Sequence, residues 1–417
     1  MGLLRALTQH RDDRRAVALD IGTEFVKALI FDVDGSIAEV KGVGRQRQRL
    51  SDMQGGTVTD IHGVITNCEA ALERAAEQAG FLPEQVIMGI AGELVKGTTT
   101  TIKYGRDEPT KKISAEELQG ILKTVQARAH DRAKELLAWE TGQGQIEVRL
   151  VNAAIVDVRI DGYKVTNPLG FQGREIQVGI YSAFAPIVHL GALQTIAEEL
   201  GLDLLSVAAE PYAVARVLGP DESSEFSAIF IDIGGGTTDI AVVHNGGLAG
   251  TKMFALGGRA FTKRLVSAFG TNFAEAEARK LAYSDGTLKK PEAKETKEAL
   301  ESDVDVWLGG VELTLGEFTN VDLLPSRILL CGGGSNLPEI REALVGTAWI
   351  KQLPFARHPS IHFLKPADIT TVTDHTQQLG SVQDITPMAL ANLAIELVGK
   401  ERVTDGLFRR VVGSLKQ

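Results

Sequence analysis

Cysteine is almost missing from this chain: Cys68 and Cys331 are the two in 417 residues. That excludes a disulfide framework, and with no C-x-x-C pair or Cys/His cluster it also excludes a cysteine-built metal site. Both thiols are expected to be buried in a protein of a reducing compartment, the cytoplasm. No run of about 18 apolar residues occurs, so no segment reads as a bilayer-spanning helix. Residues 1–15 carry too few apolar side chains for a secretory signal, although Leu3, Leu4 and Leu7 share one helical face. Basic charge is also short, with 44 Lys+Arg against 54 Asp+Glu and a net charge of −10. A nucleic-acid surface needs the opposite bias, so no nucleic-acid partner is expected.

What is present is glycine, 44 residues of it, concentrated where apolar runs end. The length suggests two to four compact units at roughly 100–200 residues each. Apolar runs alternate with helical patterns, which reads as α/β. Residues 15–21 and 25–32 are expected to form a strand pair, and 67–79 a helix opened by a Thr66/Glu69 capping box and closed at Gly80. A long helix is expected over 114–139 behind a second box, Ser114/Glu117. Strands are expected over 146–160 and 175–181, and a helix over 188–200. Residues 228–233 and 239–243 then repeat the opening pattern: an apolar strand ending in Asp-Ile-Gly, a Thr, and a second apolar strand. This predicts two related halves. Residues 284–300 read as a surface loop leading into a helix, and 366–386 as an irregular connection.

The most informative segment is Ile231-Asp232-Ile233-Gly234-Gly235-Gly236-Thr237-Thr238-Asp239. A glycine turn between strands lets backbone N–H groups approach phosphate oxygens without obstruction by side chains. The Thr237 hydroxyl can donate as well. A carboxylate at Asp232 would repel phosphate directly but can hold Mg²⁺ or its waters, and the ion bridges to phosphate. Asp20-Ile21-Gly22-Thr23, followed by Lys27, offers the same chemistry from the other half. Two such hairpins facing each other would clamp the phosphates of a nucleotide. A third turn, Gly332-Gly333-Gly334-Ser335, follows the apolar run at Ile328 and precedes Pro338, as at a strand-to-helix junction.

These three segments, in this order, resemble the first phosphate, second phosphate and adenosine motifs of the actin/sugar-kinase/chaperone superfamily. Between them Ala209-Glu210-Pro211-Tyr212-Ala213-Val214-Ala215 resembles the first connecting helix, and Thr386-Pro387-Met388-Ala389-Leu390-Ala391-Asn392-Leu393-Ala394 the second. Asn167-Pro168-Leu169-Gly170-Phe171-Gln172-Gly173 is similar to a segment of FtsA-type proteins, in the domain they insert into the first half. Phe273–Lys280 resembles the family helix that contacts adenosine, which carries that role to Glu277 and Lys280. Glu210 departs from the family, where Gln is common, and is closer there to PilM relatives and rod-shape actins.

The resemblance implies an actin-like, duplicated ribonuclease-H-like α/β fold with two halves around a nucleotide cleft and an inserted α+β domain. The implied boundaries are 15–92 and 181–204 for the first half, 93–180 for the insertion, 205–256 and 325–400 for the second half, and 257–324 for a subdomain of it. It implies ATP and Mg²⁺ as ligands. Gly22, Thr23, Lys27, Gly234, Gly235, Gly236 and Thr237 would face the phosphates, and Asp20 and Asp232 the ion. Glu277, Lys280, Gly332, Gly333, Gly334 and Ser335 would face the nucleoside. Glu210 would orient an attacking water, in a weak ATPase at most.

Residues 405–417 read as an interfacial amphipathic helix. Leu407, Phe408, Val411, Val412 and Leu415 share one face, with Arg409, Arg410 and Lys416 beside it. One copy would bind anionic lipid weakly, and a filament would bind firmly by presenting many. The family role that follows is tethering the FtsZ division ring to the cytoplasmic face of the membrane at the division site. Two alternatives stand beside it: a PilM-type adaptor of type IV pilus assembly, and a small-molecule kinase of the same superfamily.

Overall fold

The computed structural model describes residues 14–142, 146–218 and 226–398. Runs of Val, Ile, Leu and Ala dictate its buried strands. The first sheet contains β1 (Arg15–Ile21), β2 (Phe25–Asp34) and β3 (Ile37–Arg47). A two-strand ribbon, β4 (Met53–Gln54) and β5 (Thr57–Val58), precedes helix α1 (Ile61–Ala79). The sheet continues with β6 (Gln85–Ile90) and, much later in the chain, β11 (Asp203–Ala209). Gly42 and Gly44 let α1 lie almost on the backbone of β3: a Cβ at Gly44 would stand 1.8 Å from the Ala71 carbonyl oxygen.

Between β6 and β11 come β7 (Lys96–Gly105), α2 (Ala115–Thr141), β8 (Val148–Ile160), β9 (Tyr163–Lys164), β10 (Glu175–Pro186) and α3 (Ile187–Glu199). The remainder runs α4 (Glu210–Val217), β12 (Ala228–Ile233), β13 (Thr238–His244), β14 (Gly247–Phe254), α5 (Gly258–Phe269), α6 (Phe273–Ser284), α7 (Lys290–Gly316), β15 (Arg327–Cys331), α8 (Pro338–Val345), β16 (Ser360–Phe363), β17 (Val372–Asp374) and α9 (Ile385–Ala394).

The duplication expected from the repeated Asp-Ile-Gly is visible in the topology. One sheet reads β3-β2-β1-β6-β11 and the other β14-β13-β12-β15-β16, in each case two antiparallel pairings followed by two parallel ones. The fold is the actin-like α/β arrangement. One core runs from the first sheet to one face of the second, where it takes in Phe230 and Val243, and another, on the far face of the second sheet, encloses Trp307, Phe261 and Trp349.

The inserted strands do not stand apart. β7 pairs with β10 along its whole length and also with β14, through Thr98 opposite Gly250 and Gly97 opposite Thr251. The second sheet thereby grows to nine strands, ending β14-β7-β10-β8-β9. Tyr181 of β10 seals this joint: its ring stacks on Tyr212 at 5.3 Å, and its hydroxyl lies 2.9 Å from that of Thr251. α2 covers the other face of the inserted strands through Leu118, Ile121, Leu122 and Val125.

Several local expectations shift. α1 begins at Ile61, because Asp60 caps it by accepting from the Gly63 N–H at 3.2 Å. Thr66 is inside the helix, donating back to the His62 carbonyl. Ser114 does cap α2, but Glu117 turns away to the buried Arg106 at 2.7 Å instead of closing a box. The lysine-rich stretch read as a loop leading into a helix is that, with the helix starting at Lys290 and Pro291 in its first turn. Asn272 and Glu275 form a complete capping box that pattern reading passed over. Residues 372–374, within the segment read as irregular, add β17 parallel to β3 at the sheet edge.

Candidate functional site

The two Asp-Ile-Gly hairpins are built on the same register. In the first, Asp20 stands opposite Lys27. In the second, Asp232 stands opposite Asp239. Each hairpin ends in its glycine-containing turn, and the third glycine turn leaves β15, which lies parallel to β12 with Cys331 beside Asp232. All three turns line one cleft between the halves, together with Glu210, Glu277 and Lys280.

Gly332 shows why that third turn is glycine. Its φ of +78° lies where L side chains are strained. A Cβ there would stand 2.1 Å from Asp232 Oδ1 and 2.5 Å from the Ile233 carbonyl oxygen. Gly334 is similarly tight against Ile233, whereas Gly333 is open to the cleft with Gln383 its nearest neighbour at 3.9 Å. The second turn is held from behind by the start of α5. Gly258 N–H donates to Gly234 O at 2.9 Å and Arg259 N–H to Gly235 O at 2.7 Å.

The floor of the cleft is acidic. Asp20, Asp232 and Glu210 lie around the largely buried ammonium of Lys27, whose Nζ donates to Asp20 Oδ2 at 2.9 Å, and Asp239 stands beside Asp232 and Glu210. Burial pulls the Lys27 pKa down, but the charge of Asp20, with Asp232 and Glu210 behind it, overrides that and raises it. Burial pushes Glu210 well above the ordinary carboxyl range, and Asp20, Asp239 and Asp232 push the same way. Burial also raises Asp232, against the Thr386 hydroxyl that donates to it at 2.6 Å. Asp239 is raised to about 7 by burial and by Asp232, although Thr237 donates to it at 3.0 Å.

This donor set suits a hard cation arriving with phosphate. Excess buried carboxylate asks for positive charge, and every group is an oxygen. Among the described residues no three such side chains converge tightly enough to cage a metal alone.

On the far side of the cleft, Glu277 and Lys280 sit one turn apart on α6. Lys280 Nζ reaches Glu277 Oε2 at 2.8 Å and donates to the Gly258 carbonyl at 3.0 Å and to Thr262 Oγ1 at 2.8 Å. Two expected residues are turned away from the cavity. Ser335 is buried with its hydroxyl donating to Gly332 O at 2.7 Å, because the turn consumes it. Gly236 lies against the Thr23 side chain. Residues missed by pattern reading are Asp239, Thr386 and Gln383, which line the cleft. Asp239 and Thr386 were both inside recognised motifs, and the register opposite Asp232 was the signal for Asp239. Leu407, Phe408, Arg409, Arg410, Val411, Val412, Leu415 and Lys416 lie outside the described residues, as does the Leu3, Leu4 and Leu7 stripe. Among the described residues no helix is long and apolar enough to cross a membrane.

Residues 229–367 match the family model for the cell division protein FtsA. Cell division protein FtsA of Pseudomonas aeruginosa is 24% identical over 421 aligned positions, covering 95% of this chain and 92% of that protein. The FtsA of Enterococcus faecalis is 23% identical, covering 90% and 86%. Among solved structures, the PilM–PilN type IV pilus biogenesis complex shares the fold at TM-score 0.62 and 16% identity, over 91% of this chain and 98% of that one. The ethanolamine utilization protein EutJ of Carboxydothermus hydrogenoformans does so at TM-score 0.50 and 17% identity, over 93% of each. The chain is thus similar along most of its length to proteins named cell division protein FtsA, and its duplicated α/β fold is actin-like.

Proposed function

We propose that this chain binds ATP with Mg²⁺ in the interdomain cleft, self-associates into filaments, and tethers the FtsZ ring to the cytoplasmic membrane at the division site. The observation that carries the nucleotide reading is the convergence of three glycine turns on one acidic, Lys27-bearing cleft. Gly22, Thr23, Gly234, Gly235 and Thr237 face the phosphates. Asp20 and Asp232 hold the ion, directly or through water, and Lys27 neutralises Asp20 and can turn to phosphate. Gly332, Gly333, Gly334, Glu277 and Lys280 hold the nucleoside. The bound ion would neutralise charge on the phosphates. Glu210 orients the attacking water by hydrogen bonding. Turnover is slow at most, and the nucleotide acts chiefly by setting closure and assembly.

Two experiments test this reading. Asp232→Ala should abolish Mg²⁺-dependent ATP binding in a titration, and unchanged affinity removes the site assignment. For the membrane role, the full chain is compared with one truncated after Thr404 in co-sedimentation with anionic liposomes and ATP. Pelleting of the full chain alone supports the anchored role. If both stay soluble, a PilM-like adaptor becomes the better account, a reading the likeness to the PilM–PilN fold favours.

A further inference from the structure

Arg259 is not part of the cleft lining, yet it touches both phosphate turns. Its backbone N–H donates to the Gly235 carbonyl at 2.7 Å, which fastens it to the second turn. Its side chain crosses to the first half and spends all three guanidinium nitrogens there. Nε donates to Glu24 Oε2 at 2.8 Å, one terminal nitrogen to the Thr23 carbonyl at 2.6 Å, and the other to the Met53 carbonyl at 3.2 Å. Glu24 is the residue after Thr23, in the first turn itself. Its other oxygen is taken by Arg47, whose Nε donates at 2.8 Å. Its backbone carbonyl is tied to Gln48 N–H at 2.9 Å. The side chains of Arg259 and Glu24 are 11% and 16% exposed, so this pair is shielded from the screening that makes surface ion pairs nearly worthless.

A planar guanidinium satisfied by one carboxylate and two carbonyls is a geometric gauge. All three bonds form only when the two turns stand at one spacing. If the halves swing apart, the three bonds to the first half break together while the bond to Gly235 remains. An anionic ligand spanning both turns requires that same spacing.

We infer that Arg259 is a positioning residue that latches the first phosphate turn to the second, through Glu24, Thr23 and Met53, and so holds the cleft in its closed, polyphosphate-ready state. The latch is a property of the geometry; its purpose rests on the nucleotide reading above.

The test uses the full chain and the variants R259Q, E24Q, R259K and the double variant R259Q/E24Q. Arg264→Gln, on the exposed flank of α5 and paired with Asp303, is the control. Amide hydrogen exchange is followed at residues 20–27 and 232–239 without nucleotide, and the affinity and dissociation rate of a fluorescent ATP analogue with Mg²⁺ are measured in parallel. R259Q and E24Q should each speed exchange in both turns and weaken the analogue about tenfold, mostly through faster dissociation. The double variant should be no worse than the worse single, because either change breaks the same link. R259K, which keeps the charge but not the fork, should resemble R259Q, and R264Q should resemble the original chain. Unchanged exchange in R259Q, or fully additive effects, overturns the latch. If the original chain binds no nucleotide while R259Q still loosens both turns, the latch stands and the nucleotide reading falls.

Discussion

Gly332→Ala should cripple the second half of the molecule while its neighbour Gly333→Ala leaves it intact. Gly332 has φ +78° and ψ 153°, a region occupied almost exclusively by glycine. Alanine there costs roughly 1–3 kcal/mol in backbone strain. The new methyl would also lie 2.1 Å from Asp232 Oδ1 and 2.5 Å from the Ile233 carbonyl, neither of which can retreat from a strand end. Overpacking of that kind costs roughly another 1–3 kcal/mol. The sum, about 2–6 kcal/mol, corresponds to a fall of roughly 1–3 M in urea midpoint at ~2 kcal/mol per molar. Gly333 has its nearest neighbour 3.9 Å away, so its variant should stay within about 0.5 kcal/mol. Tryptophan fluorescence is the natural probe. Trp307 and Trp349 are buried in the second half and Trp139 is 82% exposed, so the signal change on unfolding comes from the half under test. Equal midpoints for the two variants would refute the account of this turn. A stable Gly333→Ala chain carries the second readout: its methyl projects into the cleft and should weaken ATP.

Lys27→Met leaves the buried Asp20 carboxylate without its partner and should destabilise by roughly 3–5 kcal/mol, with D20N/K27M recovering most of it; urea midpoints of the three variants decide this. Asp239 has a pKa of about 7 against an ordinary 3.8, so the folded state holds its proton longer than the unfolded chain. Its contribution therefore falls as pH rises from about 4 to 7, by at most ~4 kcal/mol at ~1.4 per unit. In chelated, nucleotide-free protein Asp239→Asn should gain stability relative to the original chain across that window and match it at pH 4, and parallel melting curves at every pH would contradict the burial argument. Tyr181→Phe removes the hydroxyl contact with Thr251 at the joint between β10 and β14 and should cost about 1–2 kcal/mol in a thermal or urea melt, while the ring stack on Tyr212 remains.

The amino-acid sequence by itself determined the local devices. Apolar runs of the right length made the strands, Asp-Ile-Gly ended both hairpins, and glycine at 332 and 334 allowed the third turn to press against Ile233. These are short-range matters of side-chain volume and backbone freedom, so they are readable from neighbouring letters. Helix starts were less legible, as Asp60 and Thr66 show: both are competent caps, and packing of α1 on β3 chose the earlier one. Only the tertiary structure decided what meets across the chain. That Lys27 answers Asp20 while Asp239 stands at the matching place in the other half follows from strand register. That β7 extends the second sheet, and that Arg259 reaches back to Glu24, follows from how the halves close on each other. Such contacts join residues far apart in sequence, and no local pattern encodes the distance between two independently folded turns.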